Sequence, residues 1–200
     1  MAYCDFTLEA VATTLNVTTQ PANLFPGIVP APIPSWLTET LARGGRLALI
    51  SEKSRSEFIV APVLVASREL THDQLAIFSG QRLDVDIASG LVGECDFILA
   101  LGPQVPPLRA PIVTIVEAKK HDIEAGLGQC IAQMIAARRF NEVAGKSISA
   151  VFGCVTSGEV WQFMRLVDQV ALIHDRSYYL DDVGSILAAI QVIVEQTTSK

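Results

Sequence analysis

Ile112-Val113-Thr114-Ile115-Val116-Glu117-Ala118-Lys119-Lys120 is the stretch on which the reading of this chain turns. A run of β-branched residues favours an extended strand. Side chains alternate along a strand with period two, so Glu117 and Lys119 share one face at its end. The earlier stretch Cys95-Asp96-Phe97-Ile98-Leu99-Ala100-Leu101 reads as a second strand. It brings another carboxylate, Asp96, to a place where it can share a hard cation with Glu117.

Outward from this pair, the pattern predicts the remaining elements. Gln81 to Ile87 alternates polar and apolar residues, Ser89-Gly90 is a turn, and Val92 to Leu101 returns as the second strand of a hairpin. A loop with Gly102, Pro103, Pro106, Pro107 and Pro111 leads into the Glu117 strand. Ile123, Leu127, Cys130, Ile131 and Met134 recur at helical spacing, so a helix is predicted from Ile123 to Phe140 with Asp122 as its cap. A strand from Ser147 to Val155, a turn at Ser157-Gly158, a strand from Val160 to Leu166 and a helix from about Asp182 to Gln196 complete this half.

Upstream, a helix is expected over residues 5–15 with Asp5 as its cap, then an extended connection from Gln20 to Pro34. Ser35 is expected to cap a short helix, Trp36 to Ala42, stopped by Gly44-Gly45. The next helix begins at Ser51 or Ser54, where Ser54-Arg55-Ser56-Glu57 fits a capping box, and Pro62 marks a kink or the true start. The order of elements predicts an α/β (α+β) sandwich: a central mixed β-sheet flanked by helices on both faces. A single domain over residues 1–200 is expected, with a helical and extended appendage (1–45), a core (46–170) and a C-terminal helical segment (171–200).

Two hundred residues, half of them apolar, suffice for one well-filled core. No apolar run approaches the ~18 residues that span a bilayer, and Asp5 and Glu9 interrupt any signal-like segment. A cytoplasmic location with no membrane partner is the expectation. Cys4, Cys95, Cys130 and Cys154 are widely spaced with no CxxC pair, which reads as free core thiols rather than a zinc site or disulfide framework. The formal charge of −6 argues against DNA binding through a broad basic surface. Acidic metal ligands contribute to that count, and a bound divalent cation would offset it locally. No GxSxG elbow and no glycine-rich phosphate loop of the Walker or dinucleotide type occurs.

Two carboxylates and a lysine at adjacent strand ends are what metal-assisted phosphodiester hydrolysis needs. Asp96 and Glu117 would ligate Mg²⁺ or Mn²⁺, with the Ala118 carbonyl as a further ligand. Lys119 would hold the attacking water or stabilise charge on the phosphate. Gln129 and Gln133 fall one turn apart on one helix face. They read either as a solvated face or, for Gln129, as a group orienting the water, Lys119 or the phosphate. Glu94 reads as an exposed hairpin carboxylate, and Asp84 and Asp86 as a solvated strand edge. The His72-Asp73, His121-Asp122 and His174-Asp175 pairs read as loop and cap residues, and Trp161 and Phe163 as core.

On these residues the chain resembles the PD-(D/E)xK nuclease superfamily, and most closely its small cyanobacterial-type members. The resemblance rests on Ser51-Glu52-Lys53-Ser54-Arg55-Ser56-Glu57, Gly93-Glu94-Cys95-Asp96, Val116-Glu117-Ala118-Lys119 and Gly126-Leu127-Gly128-Gln129-Cys130. Gly153-Cys154-Val155-Thr156-Ser157-Gly158 and Trp161-Gln162-Phe163 extend it, so that it covers residues from about 50 to 166. It implies the restriction-endonuclease-like fold and a Mg²⁺-type site of Asp96, Glu117 and Ala118. Lys119 would be the catalytic lysine, Glu57 an additional acid and Gln129 the polar residue of the following helix. It also implies DNA as substrate and a homodimer in which two sites meet two strands. Cys95 stands where the superfamily carries proline, and Gln133 where some branches carry an aromatic residue.

The rival is a catalytically inactive module of the same fold that binds protein or nucleic acid, for which the apolar helix from Ile186 to Val194 would be the interface. RNA or nucleotides remain alternative substrates. Convergence of Lys119, Lys120, Arg109, Arg138 and Arg139 on one cleft would favour DNA; scatter would favour the module.

Overall fold

The computed structural model describes residues 1–119, 122–146 and 148–198. Along the chain run α1 (Leu8–Leu15), β1 (Thr18–Ala22), α2 (Ser35–Gly44), α3 (Glu52–Arg55), a π-helical turn (Ser56–Val60) and α4 (Ala61–Leu70). There follow β2 (Leu75–Arg82), β3 (Glu94–Leu101), β4 (Ile112–Ala118), α5 (Ile123–Val143) and β5 (Val151–Thr156). β6 (Val160–Val167), β7 (Val170–His174), β8 (Tyr178–Tyr179) and α6 (Val183–Thr198) close the chain. The strands form one mixed sheet in the order β1-β7-β6-β5-β4-β3-β2, with β8 paired to β6. The β4–β5 and β1–β7 pairs are parallel and the others antiparallel.

β4 lies between β3 and β5, and all its residues are buried. A strand covered on both faces needs an apolar run, which Ile112 to Val116 supply. On one face α1 and α5 contribute Val11, Cys130, Ile131 and Met134 to the core. On the other, α2, α4 and α6 contribute Leu37, Val63, Leu64, Ile186 and Ile190. The chain is therefore a mixed α/β structure with helices on both faces of a central mixed sheet. Among the described residues, no helix is long and apolar enough to cross a membrane.

α5 joins the parallel strands β4 and β5 as a crossover. Asp122 caps it, its Oδ1 accepting the Ala125 amide at 3.0 Å. A Cβ on Gly128 would lie 2.4 Å from the Thr7 carbonyl carbon and 2.5 Å from Phe6 O, so only glycine admits the N-terminal backbone here.

Several expected boundaries move. Thr7, not Asp5, caps α1, because Asp5 closes a short 3₁₀ turn of its own, Tyr3–Asp5. The connection expected to run extended from Gln20 to Pro34 begins within a strand, β1. Thr18–Ala22 pairs with β7 at the sheet edge, a position where Pro21 is tolerated. Ser35 lies inside α2, whose N-cap is Pro34. Ser51 is the cap of α3, exchanging hydrogen bonds with Ser54. Pro62 has no N–H, and the helix widens into the π turn just ahead of it, with the Ala61 amide donating to Ser56 O.

The first strand of the hairpin is Leu75–Arg82, upstream of the expected 81–87, because the apolar run Leu75 to Phe78 pairs with Ile98 to Leu101. The C-terminal segment is not purely helical: β7 and β8 precede α6. The apolar face of α6 is not an open interface either, since Ile186, Leu187, Ile190, Ile193 and Val194 are buried in the core. Trp161 and Phe163 are core residues as expected, and so are Cys95, Cys130 and Cys154, whereas Cys4 is exposed. The expected strand start at Ser147 lies outside the described residues.

Candidate active site

β3 and β4 run antiparallel, with Phe97 opposite Val116 as the last register pair. One position further, Asp96 and Glu117 stand side by side on the same face. Asp96 Oδ2 accepts the Ala118 amide at 2.7 Å. Ala118 also pairs with Thr156 of β5, and the Lys119 amide donates to Thr156 O at 2.7 Å, which fixes the chain at the end of β4.

Glu117 is 3 % exposed. Lys119 Nζ donates to its Oε1 at 2.7 Å and to Gln129 Oε1 at 2.9 Å. Gln133 Nε2 donates to Glu117 Oε2 at 2.9 Å. Gly126 makes room for this lysine: a Cβ there would lie 3.0 Å from Lys119 Cγ and 2.6 Å from Val155 Cγ1.

Burial and the neighbouring Asp96 push the Glu117 carboxyl up to about 7, against the pull of Lys119 and Gln133. Burial likewise raises Asp96, with Glu52 and Glu94 adding repulsion and the Ala118 amide and Lys119 opposing. Burial works against the Lys119 ammonium, but the charge and hydrogen bond of Glu117 outweigh it and the group stands above its ordinary value. Within two strand ends lie two desolvated acids and one cation.

Asp96 and Ala118 also line an open cleft of about 470 Å³ with Glu52, Lys53, Ser56, Glu57, Ser79 and Glu94. The structure thus brings together Asp96, Glu117, Ala118, Lys119 and Gln129. Glu57 reaches the same cleft from the π turn, where its exposed carboxylate meets Lys53 at 2.9 Å. Glu52 is the acid that sequence reasoning missed. Its charge acts on both Asp96 and Lys119. Its signal was its place directly after the Ser51 cap, in the first turn of α3. Of the two readings open for the glutamine pair, the solvated face fails for Gln133, which is wholly buried.

Arg109, Arg138 and Arg139 do not converge on this cleft. Arg139 pairs with Asp86, Arg138 donates to Asp168 O and Gln169, and Arg109 lines a separate small pocket beyond β2 and β3. Lys120 and His121 lie outside the described residues. Asp84 is not on a strand edge; it binds Arg82 and the Gly93 amide in the loop after β2. His174 is not a loop residue but the buried end of β7.

Among the described residues, no three His, Cys, Asp or Glu side chains gather closely enough to form a metal cluster by themselves. No protein-family model and no curated protein matches the chain.

Proposed function

We propose that this chain is a Mg²⁺- or Mn²⁺-dependent nuclease of the PD-(D/E)xK superfamily, with the restriction-endonuclease-like fold, that hydrolyses phosphodiester bonds in DNA. The carrying observation is the Asp96–Glu117 pair on adjacent strand ends with the Lys119 ammonium 2.7 Å from Glu117. The donor set fits a hard divalent cation, being all oxygen. Two desolvated acids side by side repel each other, and a shared cation is the simplest relief. Asp96, Glu117 and the Ala118 carbonyl would hold it. When bound, the cation would polarise the scissile phosphate and favour ionisation of an attacking water.

The chain's own residues supply the rest. Lys119 is the one cation among the described residues that is hydrogen-bonded to Glu117, where it would stabilise charge on the phosphate or hold the water. Gln129 keeps its ammonium directed. Glu52, Glu57 and Glu94 make the cleft acidic, which favours cation uptake and resists a phosphate arriving without a cation. A homodimer would bring two such sites to the two strands of a duplex.

The test is cleavage of labelled single-stranded, duplex and branched DNA with Mg²⁺ or Mn²⁺, by the wild type, Asp96→Ala and Lys119→Ala. Metal-dependent cutting that both substitutions abolish is the expected result. No cutting of any substrate by the wild type overturns the proposal. A second reading, a catalytically silent module, is favoured by one observation: Arg109, Arg138 and Arg139 sit apart from the cleft. On that reading the wild type binds nucleic acid or protein and cuts nothing.

A further inference from the structure

The Glu117 carboxylate is gripped on both oxygens, Oε1 by Lys119 and Oε2 by Gln133. Gln133 lies wholly out of solvent on α5, flanked by the buried residues Ile131, Ala132, Met134 and Ile135. Its own Oε1 is buried and has no hydrogen-bond donor among the described residues. A buried carbonyl without a donor is destabilising. A leucine or methionine of similar volume would fill the same space without that cost. What the amide supplies and an apolar residue cannot is one N–H for Glu117. One turn earlier Gln129 accepts from Lys119, so two glutamines of one helix address the two halves of a single ion pair.

We infer that Gln133 is a positioning residue, which fixes the Glu117 carboxylate beside Asp96 with Oε1 turned to Lys119. The inference rests on the cation-dependent reading above, and it gives the position where some branches of the superfamily carry an aromatic residue a polar task in this chain. A side chain that orients a ligating carboxylate acts on cation affinity, whereas a residue present only for packing acts on stability.

The test is Mn²⁺ binding to the full chain, followed by the electron paramagnetic resonance of the free ion, in the wild type, Gln133→Leu and Met134→Leu. Gln133→Leu is expected to weaken binding by roughly tenfold or more, with little change in melting temperature, because relief of the orphaned Gln133 Oε1 offsets the donor lost to Glu117. Met134→Leu, an equally buried apolar control, is expected to bind as the wild type does. Gln133→His restores an N–H donor and is expected to recover part of the affinity. Equal affinity in the wild type and Gln133→Leu overturns the inference. If Gln133→Leu fails to fold, Gln133→Met carries the same comparison. If the wild type binds no Mn²⁺, the cation-dependent reading falls on its own. The positioning is then decided by metal-free crystal structures of the wild type and the Leu or Met variant. A Glu117 carboxylate turned away from Lys119 in the variant upholds it, and an unmoved one overturns it.

Discussion

Asp96 accepts the backbone amide of Ala118 at 2.7 Å, so a side chain of β3 takes up the role of a strand carbonyl just past the Phe97–Val116 pair. The carboxylate therefore has two separable tasks, holding the end of β4 and presenting negative charge to the cleft. Asp96→Asn separates them, because the asparagine Oδ1 can still accept the amide while the charge is gone. The variant is expected to melt near the wild-type temperature and to lose Mn²⁺ affinity by roughly tenfold or more. Calorimetric titration alongside thermal melting checks this, and unchanged affinity would remove Asp96 from the cation site.

Glu117 makes stability depend on pH in an unusual direction for a carboxylate. Its folded-state value is about 7 against an ordinary 4.5, owing to burial and to Asp96. Between those values the folded state binds the proton more tightly than the unfolded chain does. The contribution is complete below about 4.5 and is lost as pH rises through about 7. Glu117→Gln is free of this loss. Its stability relative to the wild type is expected to improve from pH 5 to pH 8 by on the order of 3 kcal/mol, measured by urea unfolding at both pH values.

His174 works in the opposite sense. Its Nδ1 accepts the Leu24 amide at 3.0 Å, its Nε2 meets the Tyr178 hydroxyl at 3.2 Å, and Asp175 stands 3.5 Å away. Burial lowers its pKa below the ordinary 6.5. The stability it supplies is present above 6.5 and is lost as pH falls through the lower folded value. Protonation removes the lone pair that holds Leu24. Hydrogen exchange of the Leu24 amide, corrected for intrinsic rate, is expected to lose protection as pH falls below 6.5 through the lower folded value, and His174→Gln is expected to flatten that dependence.

The entry of β4 into the sheet hangs on one side chain of α5. Asn141, 1 % exposed, accepts the Ile112 amide at 2.7 Å and donates to the Ile112 carbonyl at 2.8 Å. Asn141→Ala leaves both backbone groups buried without partners, and a loss of about 2–4 kcal/mol in chemical denaturation is expected. A loss below about 0.5 kcal/mol would mean that the two groups find other partners.

Two glycines of α5 are expected to respond differently to alanine. At Gly128 the new methyl would meet the backbone of Phe6 and Thr7, and at Gly126 the side chains of Val155 and Lys119. Gly128→Ala should destabilise the fold by about 1–3 kcal/mol or more, with the N-terminal segment the first to lose amide protection. Gly126→Ala should cost less stability, because it meets side chains rather than backbone, and more Mn²⁺ affinity, because Lys119 must shift along with Val155. Similar stability losses with unchanged affinity in both would contradict the packing described here.

Much of this was legible along the chain. The β-branched run Ile112 to Val116 announced β4, and the spacing of Ile123, Leu127, Cys130, Ile131 and Met134 announced α5. Period-two alternation then put Glu117 and Lys119 on one face. Such patterns are local, since propensity and periodicity act between near neighbours. The short strands β1, β7 and β8 were not legible: β7 and β8 offer only five and two residues to any pattern, and β1, at the sheet edge, owes its existence to a partner about 150 residues away.

The chain alone determined the strand that carries Glu117 and Lys119, and the helix that follows it. Only the tertiary structure decided that Gln133 turns inward to Glu117, that Glu52 rather than Glu57 acts on the charges of Asp96 and Lys119, and that Arg138 and Arg139 face away. A one-residue change in a helix start rotates every side chain by about 100°. The face a helix shows to the sheet is therefore set by its packing partners, and for α5 these include the N-terminal segment, more than a hundred residues away, as well as the flanking strands β4 and β5.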